Sequence, residues 1–418
     1  IVTVDCGSTS YEEVEYAKSI GLDIIVTDHH SIMDKKADCI LINPKQEGCT
    51  YPFKGLAGCG VAFKLAQALR ERAKLPKSVT NSLLDIVAIG TIGDIVPLVD
   101  ENRTLAKYGL YELNKNDRLG IRLLVEAISM NTITLRSDQI AYCIVPHLNA
   151  AGRMKDAMIV VDLLLSKEPD RARKLAGELV LHNAERKRIQ EETFNRCIEL
   201  IEEQCSDCTF PIIRAEDAHE GITGIVAGKL KDIYEKPVII ATPCDGLLKG
   251  TGRSTDRVDM FQILDKYREL FIRFGGHHGA CGFLMSEENF QQFKQQANEE
   301  LAKRVQADPD LLQQRAQYDM SITGADMTLE FISQLELMEP FGCSNRRPVF
   351  CLKGVTLSNQ QKMGKEGNHA RFFAHCTDGS SAECVFFAKA IQHEELINGD
   401  ARLDLYGTLQ LNIWNGNK

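Results

Sequence analysis

The stretch Leu22-Asp23-Ile24-Ile25-Val26-Thr27-Asp28-His29-His30 decides the fold class of this chain. Its apolar part predicts a buried strand, and its polar end places a carboxylate and two imidazoles where parallel α/β sheets gather ligands. These groups also bind divalent metals. The stretch therefore predicts an α/β fold with a metal site at the strand ends. Alone it is a weak signal, because Asp and His are also common at strand ends and helix caps.

Two further carboxylates follow apolar segments in the same way. Ile1-Val2-Thr3-Val4 precedes Asp5, and the following Cys-Gly-Ser sequence suits a turn from a parallel strand into a helix. Asp94 follows the apolar stretch 84–92, where small residues let the backbone pass close to a site. Taken together, the three segments favour a metal site over the alternative of ordinary capping residues.

Bulk composition limits the class of protein. The 418 residues, 44% of them hydrophobic and 26% charged, are typical of a globular protein with two or three domains. The net charge of -9 excludes a broadly basic nucleic-acid coat, so any such binding must come from local patches. No apolar run approaches membrane-spanning length. The 14 cysteines form no regular framework, and the Cys205 and Cys208 pair has no second pair at zinc-ribbon distance, which favours an incidental turn.

Five segments follow from the patterns along the chain. Short apolar runs alternate with helical patterns over 1–170, which implies βαβ units and a parallel sheet. A helix-period stretch of mixed charge over 171–206 predicts a long connecting helix, on which the charge run that includes Arg186 is most simply a solvated face. A second α/β domain is expected over 207–305 and a helical bridge over 306–340. The region 341–418 is rich in β-formers and mildly basic, which fits an OB-type barrel that stacks bases.

Three glycine-rich stretches have two interpretations each. The stretch 55–60 enters a helix and could receive a phosphate, although close packing is favoured there. Lys249-Gly-Thr-Gly-Arg253-Ser254 is expected to be a loop that either cradles a phosphate or makes a hairpin turn. Phe274-Gly-Gly-His277-His278-Gly-Ala-Cys-Gly282 is expected to be a loop that either lets a substrate approach the backbone or packs as a buried turn.

Seven of these motifs, in order, resemble those of the RecJ single-strand exonucleases in the DHH phosphoesterase superfamily. The resemblance spans nearly the whole chain and is carried by Val4-Asp5-Cys6-Gly7, Thr27-Asp28-His29-His30, Gly90-Thr91-Ile92-Gly93-Asp94, Leu148-Asn149-Ala150-Ala151-Gly152-Arg153, the 249–254 and 275–282 stretches, and Leu411-Asn-Ile-Trp-Asn-Gly416. It implies an enzyme that degrades single-stranded DNA from the 5′ end in recombination and repair. Mn²⁺ or Mg²⁺ would be the cofactor, with two ions in the intact enzyme.

The resemblance also assigns roles to residues. Asp5 resembles the carboxylate that bridges two metals, while His29 and Asp94 resemble ligands of one of them. His30 resembles the histidine that contacts the scissile phosphate, with Asp28 beside it as a second catalytic residue. Adjacent residues in extended backbone point apart, so the two rings are not expected to bind one ion. The implied substrate and phosphate contacts are Asn149, Arg153, Lys249, Thr251, Arg253, Ser254, Gly276 and His277, and the nucleic-acid contacts of the barrel are Arg371, Phe373 and Trp414.

Four features depart from the family pattern. The DxDxDG motif of the family would precede Ile1, and the last barrel strand would continue past Lys418, so this chain alone is expected to be a poor catalyst. Pro146-His147 stands where the family has Pro-Arg, which predicts a weaker or titratable phosphate contact. Thr251 replaces a serine and keeps its hydroxyl.

The expected partner is single-stranded DNA, with a single-strand-binding protein or a helicase as further candidates. A monomer in the bacterial cytoplasm, without membrane contact, is expected. His and Asp ligands together favour Mn²⁺ over Mg²⁺. Two alternatives stay open: a phosphodiesterase for short oligonucleotides or cyclic dinucleotides, and a DHH scaffold without catalysis. The β-rich 341–418 region argues against the first, and the retained Asp5 and His29 argue against the second.

Overall fold

The computed structural model describes residues 1–32, 35–130, 134–205, 208–313, 315–364, 367–388 and 390–411. The chain forms two compact units. The first contains Ile1–Asp117, Thr132–Tyr142 and Ala316–Lys418, and the second contains Arg118–Asn131 and Cys143–Arg315. Among the described residues, no helix combines the length and the apolar character needed to cross a membrane.

The first unit opens with the parallel sheet that the sequence predicts. Strands β1 (Val2–Val4), β2 (Ile25–Thr27) and β3 (Ile40–Ile42) lie side by side in chain order, and helix α1 (Tyr11–Ser19) connects the first two. Because the strands are parallel and in register, their carboxyl ends lie at one edge of the sheet. Asp5 and Asp28 follow β1 and β2 at that edge.

Helices fill the chain between this sheet and the next. Their bounds are α2 Gly58–Arg72, α3 Ser78–Asn81, α4 Leu84–Gly93, α5 Asp100–Leu113, α6 Leu119–Ala127, α7 Ser137–Gln139, α8 Val145–Met154, α9 Met158–Leu165 and α10 Pro169–Cys205. The apolar stretch before Asp94 is therefore helix α4. The glycine-rich stretch 55–60 runs into α2, where Gly58 and Gly60 are buried, in agreement with a packing role. The predicted long helix is confirmed as α10.

The second unit contains a five-stranded sheet in the order β4-β5-β6-β8-β7. Its strands are β4 Ile212–Arg214, β5 Val238–Cys244, β6 Leu247–Arg253, β7 Phe271–His277 and β8 Ala280–Met285, and its helices are α11 Glu220–Tyr234, α12 Met260–Asp265 and α13 Glu287–Ala307. Strand β4 is parallel to β5, and the other neighbours are antiparallel.

Both glycine-rich stretches of this unit were expected to be loops, and that prediction is wrong. Lys249 to Arg253 lies within β6, and the second stretch is the β7-β8 hairpin. The glycines make room for packing, because a Cβ on Gly250 would lie 2.0 Å from the Phe283 ring. A substitution with any larger residue would displace that buried ring.

The C-terminal part of the first unit forms a second sheet. Its strands are β9 Met320–Ile322, β10 Phe350–Met363, β11 His369–His375, β12 Ser381–Phe386 and β13 Leu403–Gly407, with the short helices α14 Leu329–Glu336 and α15 Glu394–Asn398. The order is β12-β11-β10-β13, and β9 pairs with β10 in parallel. The segment 306–340 was expected to be a helical bridge, yet it contributes β9, since Met320 to Ile322 pairs with Phe350 to Leu352.

Candidate active site

The ends of β1 and β2 hold the first group of site residues. Asp5 lies directly after β1 with φ at 65°, and its N–H donates to the Thr27 carbonyl at 2.9 Å. This left-handed turn directs the chain away from the sheet, and the Asp5 side chain remains 54% exposed. A Cβ on Gly58 would lie 2.2 Å from Asp5 Oδ1, so the start of α2 passes close beside the carboxylate because it has no side chain there.

Asp28 organises the turn that follows β2. Its buried carboxylate accepts the N–H of Ser8 at 2.9 Å and of His29 at 2.7 Å, and it contacts His30 Nδ1 at 2.8 Å. Burial alone would raise the pKa of Asp28, but the hydrogen bonds from Ser8 and His30 together hold it well below its usual range. Asp28 is therefore an anion that positions both histidines, with its oxygens already engaged by donors.

His29 lies between two carboxylates. Its Nε2 atom is 3.0 Å from Asp5 Oδ1 and 3.5 Å from Asp94 Oδ2. The ring is buried, and Nε2 makes no hydrogen bond within the described part of the chain. A buried ring nitrogen without a hydrogen-bond partner, aimed at two carboxylates, fits a metal ligand.

The prediction that the His29 and His30 rings point apart is wrong. Their centroids lie 4.5 Å apart, and ligand atoms of Asp5, His29 and His30 all lie within 4.8 Å of one another. The expectation assumed extended backbone, but β2 ends at Thr27 and the Asp28 carboxylate folds the next two residues into a turn. His30 uses Nδ1 for Asp28, which leaves its Nε2 for a ligand.

Asp94 closes the cluster from the C-terminus of α4. Burial and the negative charge of Asp5 raise its pKa, while His29 opposes this shift. Two carboxylates close to one imidazole repel each other unless a cation lies between them. The donor set of Asp5, His29, His30 and Asp94 thus fits a divalent cation with mixed oxygen and nitrogen ligands.

A second group of predicted residues lies in the second unit, around the start of α11. Arg153, near the end of α8, donates from Nη1 to the Gly221 carbonyl at 2.5 Å. Lys249 Nζ contacts Glu220 Oε2 at 2.8 Å, and the hydroxyls of Thr223 and Thr251 lie 3.4 Å apart. Basic and hydroxyl groups at a helix N-terminus are suited to an anion.

Arg253 ends β6 beside the same helix. A Cβ on Gly224 would lie 3.0 Å from Arg253 Nη2, so the guanidinium packs against a bare turn of α11. Burial and the nearby positive charge of Arg153 lower its pKa. Within the described residues it forms no ion pair, and its Nη1 donates to the Gly252 carbonyl at 2.9 Å.

The remaining predicted contacts differ in exposure. Asn149 and His277 are exposed, and the N–H of Gly279 donates to His277 Nδ1 at 3.3 Å. Gly276 has φ at 155°, and a Cβ there would lie 2.4 Å from the Ala280 carbonyl oxygen. Ser254 is buried, and its hydroxyl donates to the Val258 carbonyl at 2.6 Å. The Ser254 hydroxyl is therefore already used within its own turn.

On the C-terminal sheet, Arg371 and Phe373 occupy alternate positions of β11. Arg371 is exposed and forms an ion pair with Glu383, whereas Phe373 is half-buried. The intervening Phe372 belongs to the core, as strand alternation requires. Trp414 lies outside the described residues.

Two residues of the second unit were missed by the sequence analysis. His219 is the N-cap of α11 and accepts the Gly221 N–H at 3.2 Å; its position just before an apolar helical pattern is the signal that could have found it. Arg186 was assigned to a solvated charged face, yet it is only 9% exposed.

His147, where the family has an arginine, is half-buried, and its Nδ1 donates to the Cys143 carbonyl at 2.6 Å. Burial lowers its pKa, so it does not supply the positive charge of the family's arginine at neutral pH.

The fold and the grouping of these residues define a protein of the DHH class. Family models match accordingly: the DHH family N-terminal domain over residues 1–91, the DHHA1 domain over 208–303, and the RecJ OB domain over 318–418. The chain is 33% identical over 400 residues to the single-stranded-DNA-specific exonuclease RecJ of Haemophilus influenzae, a match that covers 91% of this chain and 68% of that protein. The chain belongs to the RecJ family.

Two further comparisons agree. The RecJ of Bacillus subtilis is 34% identical over 421 residues, covering 100% of this chain. Crystal structures of RecJ from Thermus thermophilus with Mn²⁺ and with Mg²⁺ have TM-scores of 0.81 and 0.77 at 30% identity, and each match covers 99% of this chain and 59% of the other. The chain spans only 52% of the Bacillus subtilis protein, about half its length.

Proposed function

We propose that this chain is the core of a single-stranded-DNA-specific exonuclease that hydrolyses phosphodiester bonds from the 5′ end. The observation that carries the proposal is the Asp5, His29 and Asp94 cluster, in which a buried ring nitrogen without a hydrogen-bond partner faces two carboxylates. Membership of the RecJ family, whose relatives carry that activity in their names, supports the substrate and the reaction.

Asp5, His29 and Asp94 would hold divalent cations, Mn²⁺ or Mg²⁺ as in the Thermus thermophilus structures. Such ions supply a nucleophile at neutral pH and neutralise charge on the leaving oxygen. Asp28 fixes the positions of His29 and His30 through its hydrogen bonds. His30 Nε2 is then available to contact the scissile phosphate or to bind a cation.

The second unit would bind the backbone of the strand. Arg153 and Arg253 would contact phosphates, helped by Lys249, Thr251 and the exposed groups near them. Arginine suits this task because its planar fork binds phosphate oxygens in pairs. On the C-terminal sheet, Arg371 and Phe373 would contact the strand through charge and stacking.

The finer parts of the proposal concern the cell. A DNA-processing enzyme of this family would act in the bacterial cytoplasm, in recombination and repair. A single-strand-binding protein or a helicase would supply its substrate, and we propose that it acts as a monomer.

A hydrolysis assay on the protein with its native flanking sequence tests the proposal. We expect progressive 5′ decay of a long labelled single strand with Mn²⁺, and none of a matching duplex. Activity on dinucleotides alone would instead indicate the short-oligonucleotide phosphodiesterase, and inertness with Mn²⁺ would indicate a scaffold protein. Family membership favours neither alternative.

A further inference from the structure

The buried face of α10 changes character along the helix. At its two ends the face is apolar, but over its middle it is polar; the residues are Ala172, Ala176, Leu179, then Asn183, Arg186, Gln190, Thr193, then Cys197, Leu200 and Ile201. The helix packs against α8 and α11 of the same unit. Apolar residues would stabilise such an interface at lower desolvation cost, so the polar middle calls for a functional reason.

Arg186 is the charged member of that polar stretch. Its Nε donates to Asn183 Oδ1 at 3.0 Å and its Nη1 to Gln190 Oε1 at 2.7 Å, and both acceptors are neutral amides. Across the described residues it has no carboxylate partner, although its side chain is only 9% exposed. Two amides leave three of its five N–H groups for another acceptor.

The surroundings of Arg186 carry further positive charge. The positive charges of Arg153 and Arg186 act on each other, and Arg153 likewise acts on Arg253. In the described structure neither Arg153 nor Arg253 forms an ion pair, and each donates to a backbone carbonyl instead. A buried cation without a counter-charge, such as Arg186, is costly, and the half-buried Arg253 and the exposed Arg153 nearby add further positive charge. This arrangement is stabilised when an anion binds.

We propose that Arg186 is a further phosphate-binding residue, which contacts a backbone phosphate of the DNA strand together with Arg153. Asn183 and Gln190 hold the guanidinium in place, so its remaining N–H groups are pre-oriented for the phosphate oxygens. The inference rests on the proposed exonuclease function, because it takes a single strand as the ligand of the second unit.

Salt-dependent binding tests this inference. The protein with its native flanking sequence is titrated with a fluorescent oligonucleotide in EDTA, so that no hydrolysis occurs. We expect Arg186→Gln to weaken binding at least about tenfold and to reduce the slope of log K against log salt by about 0.7, the value of one phosphate contact on a single strand. Arg188→Gln is the control, since Arg188 lies two residues away, is exposed and is paired with Glu185 and Glu192.

Arg186→Met separates a binding role from a structural one. Replacing a buried cation by an apolar side chain of similar length is expected to keep or raise the thermal unfolding temperature while weakening DNA binding as in Arg186→Gln. A variant that unfolds at lower temperature and keeps the wild-type salt slope would overturn the inference. Arg186→Met decides the question if Arg186→Gln does not fold. If neither folds, Arg186→Lys decides it by affinity: it keeps the charge but lacks the planar fork, so we expect weaker binding at an unchanged slope, and wild-type affinity would overturn the inference.

The same experiments test the proposed function separately from the role of Arg186. If the unaltered protein neither binds nor degrades single strands, the exonuclease proposal is wrong. If it does both and Arg186→Gln has the same slope as Arg188→Gln, only the role of Arg186 is wrong.

Discussion

The metal cluster of the first unit carries an excess of negative charge. The group of three arginines in the second unit carries an excess of positive charge. Asp5 and Asp94 are like charges around one buried imidazole, and the pKa of Asp94 is raised by burial and by Asp5. Arg153, Arg186 and Arg253 are like charges without a carboxylate among the described residues, and burial lowers the pKa of the last two. The charges of the first group suit a cation, and those of the second suit an anion.

Unpaired charges of one sign make a folded protein selective for a ligand of the opposite sign. A stable protein without a ligand normally pairs such charges within itself, as the half-buried Glu339 does with Arg136 and Arg347 in the first unit. Where the pairing is missing, stability is lower than it could be, and a ligand of the missing sign restores it. A metal-dependent phosphodiesterase needs both signs, because its cofactor is cationic and its substrate anionic.

The largest effect is expected from Asp5→Asn. It removes the carboxylate nearest His29 Nε2, and the loss of several kcal/mol of metal-assisted catalysis lowers hydrolysis of a single strand by at least about 10²-fold. The thermal unfolding temperature without metal is expected to stay equal or rise, because repulsion of Asp94 is relieved. Asp38→Asn, which removes an exposed partner of Lys18, is the control. Wild-type hydrolysis by Asp5→Asn would show that the Asp5 carboxylate is not part of the metal site.

Metal addition is expected to give the next largest effect. Mn²⁺ at about 100 times its dissociation constant stabilises the protein by about 2.7 kcal/mol if it binds only the folded state. Thermal unfolding after EDTA treatment measures the shift. His29→Gln is expected to abolish most of it, whereas His393→Gln, at the residue just before α15, is expected to keep it. An unchanged shift in His29→Gln would show that the ion binds elsewhere.

The sequence predicts the parallel sheet well, because strand patterns and turn residues are local. Asp5, Asp28 and His29 follow strands whose ends must lie at one sheet edge, so their approach could be foreseen. The closeness of the His29 and His30 rings could not be predicted from the sequence, because it depends on hydrogen bonds from the turn to the Asp28 carboxylate.

Burial set by tertiary packing explains the other failures. Gly250 and Gly252 suggest a loop, yet they allow Phe283 and Met260 to pack against β6. The charged pattern around Arg186 suggests a solvated face, yet the packing of neighbouring elements of the second unit on α10 buries it. Sequence periodicity cannot show which of two polar faces a neighbouring helix will cover.

Arg253→Gln tests whether the arginine group of the second unit binds an anion. Hydrogen bonds to a charged group are worth about 1.5 to 3 kcal/mol, so single-strand binding in EDTA is expected to weaken by about 10- to 10²-fold. Arg253→Lys is expected to restore only part of the affinity, because an ammonium lacks the planar fork. Arg257→Gln, which removes a partner of Asp308 in the same unit, serves as the comparison variant. Equal affinity of the Arg253 and Arg257 variants would remove Arg253 from the phosphate site.

The smallest effect concerns His147, which lies beside the cationic group as a neutral residue. Burial, together with the charges of Lys187 and Arg186, lowers its pKa in the folded state. Below its ordinary pKa the unfolded chain therefore binds more protons than the folded one, so stability falls as pH falls. Each pKa unit of difference corresponds to about 1.4 kcal/mol.

Urea unfolding at about pH 7.5 and about pH 5.5 measures this loss. His147→Gln, which cannot take up a proton, is expected to lose less stability between the two pH values than the unaltered protein. An equal loss in both proteins would mean that His147 accepts its proton as freely when folded as when unfolded. In that case neither burial nor the charges of Lys187 and Arg186 lower the pKa of His147, and the excess of positive charge argued for the second unit loses this support.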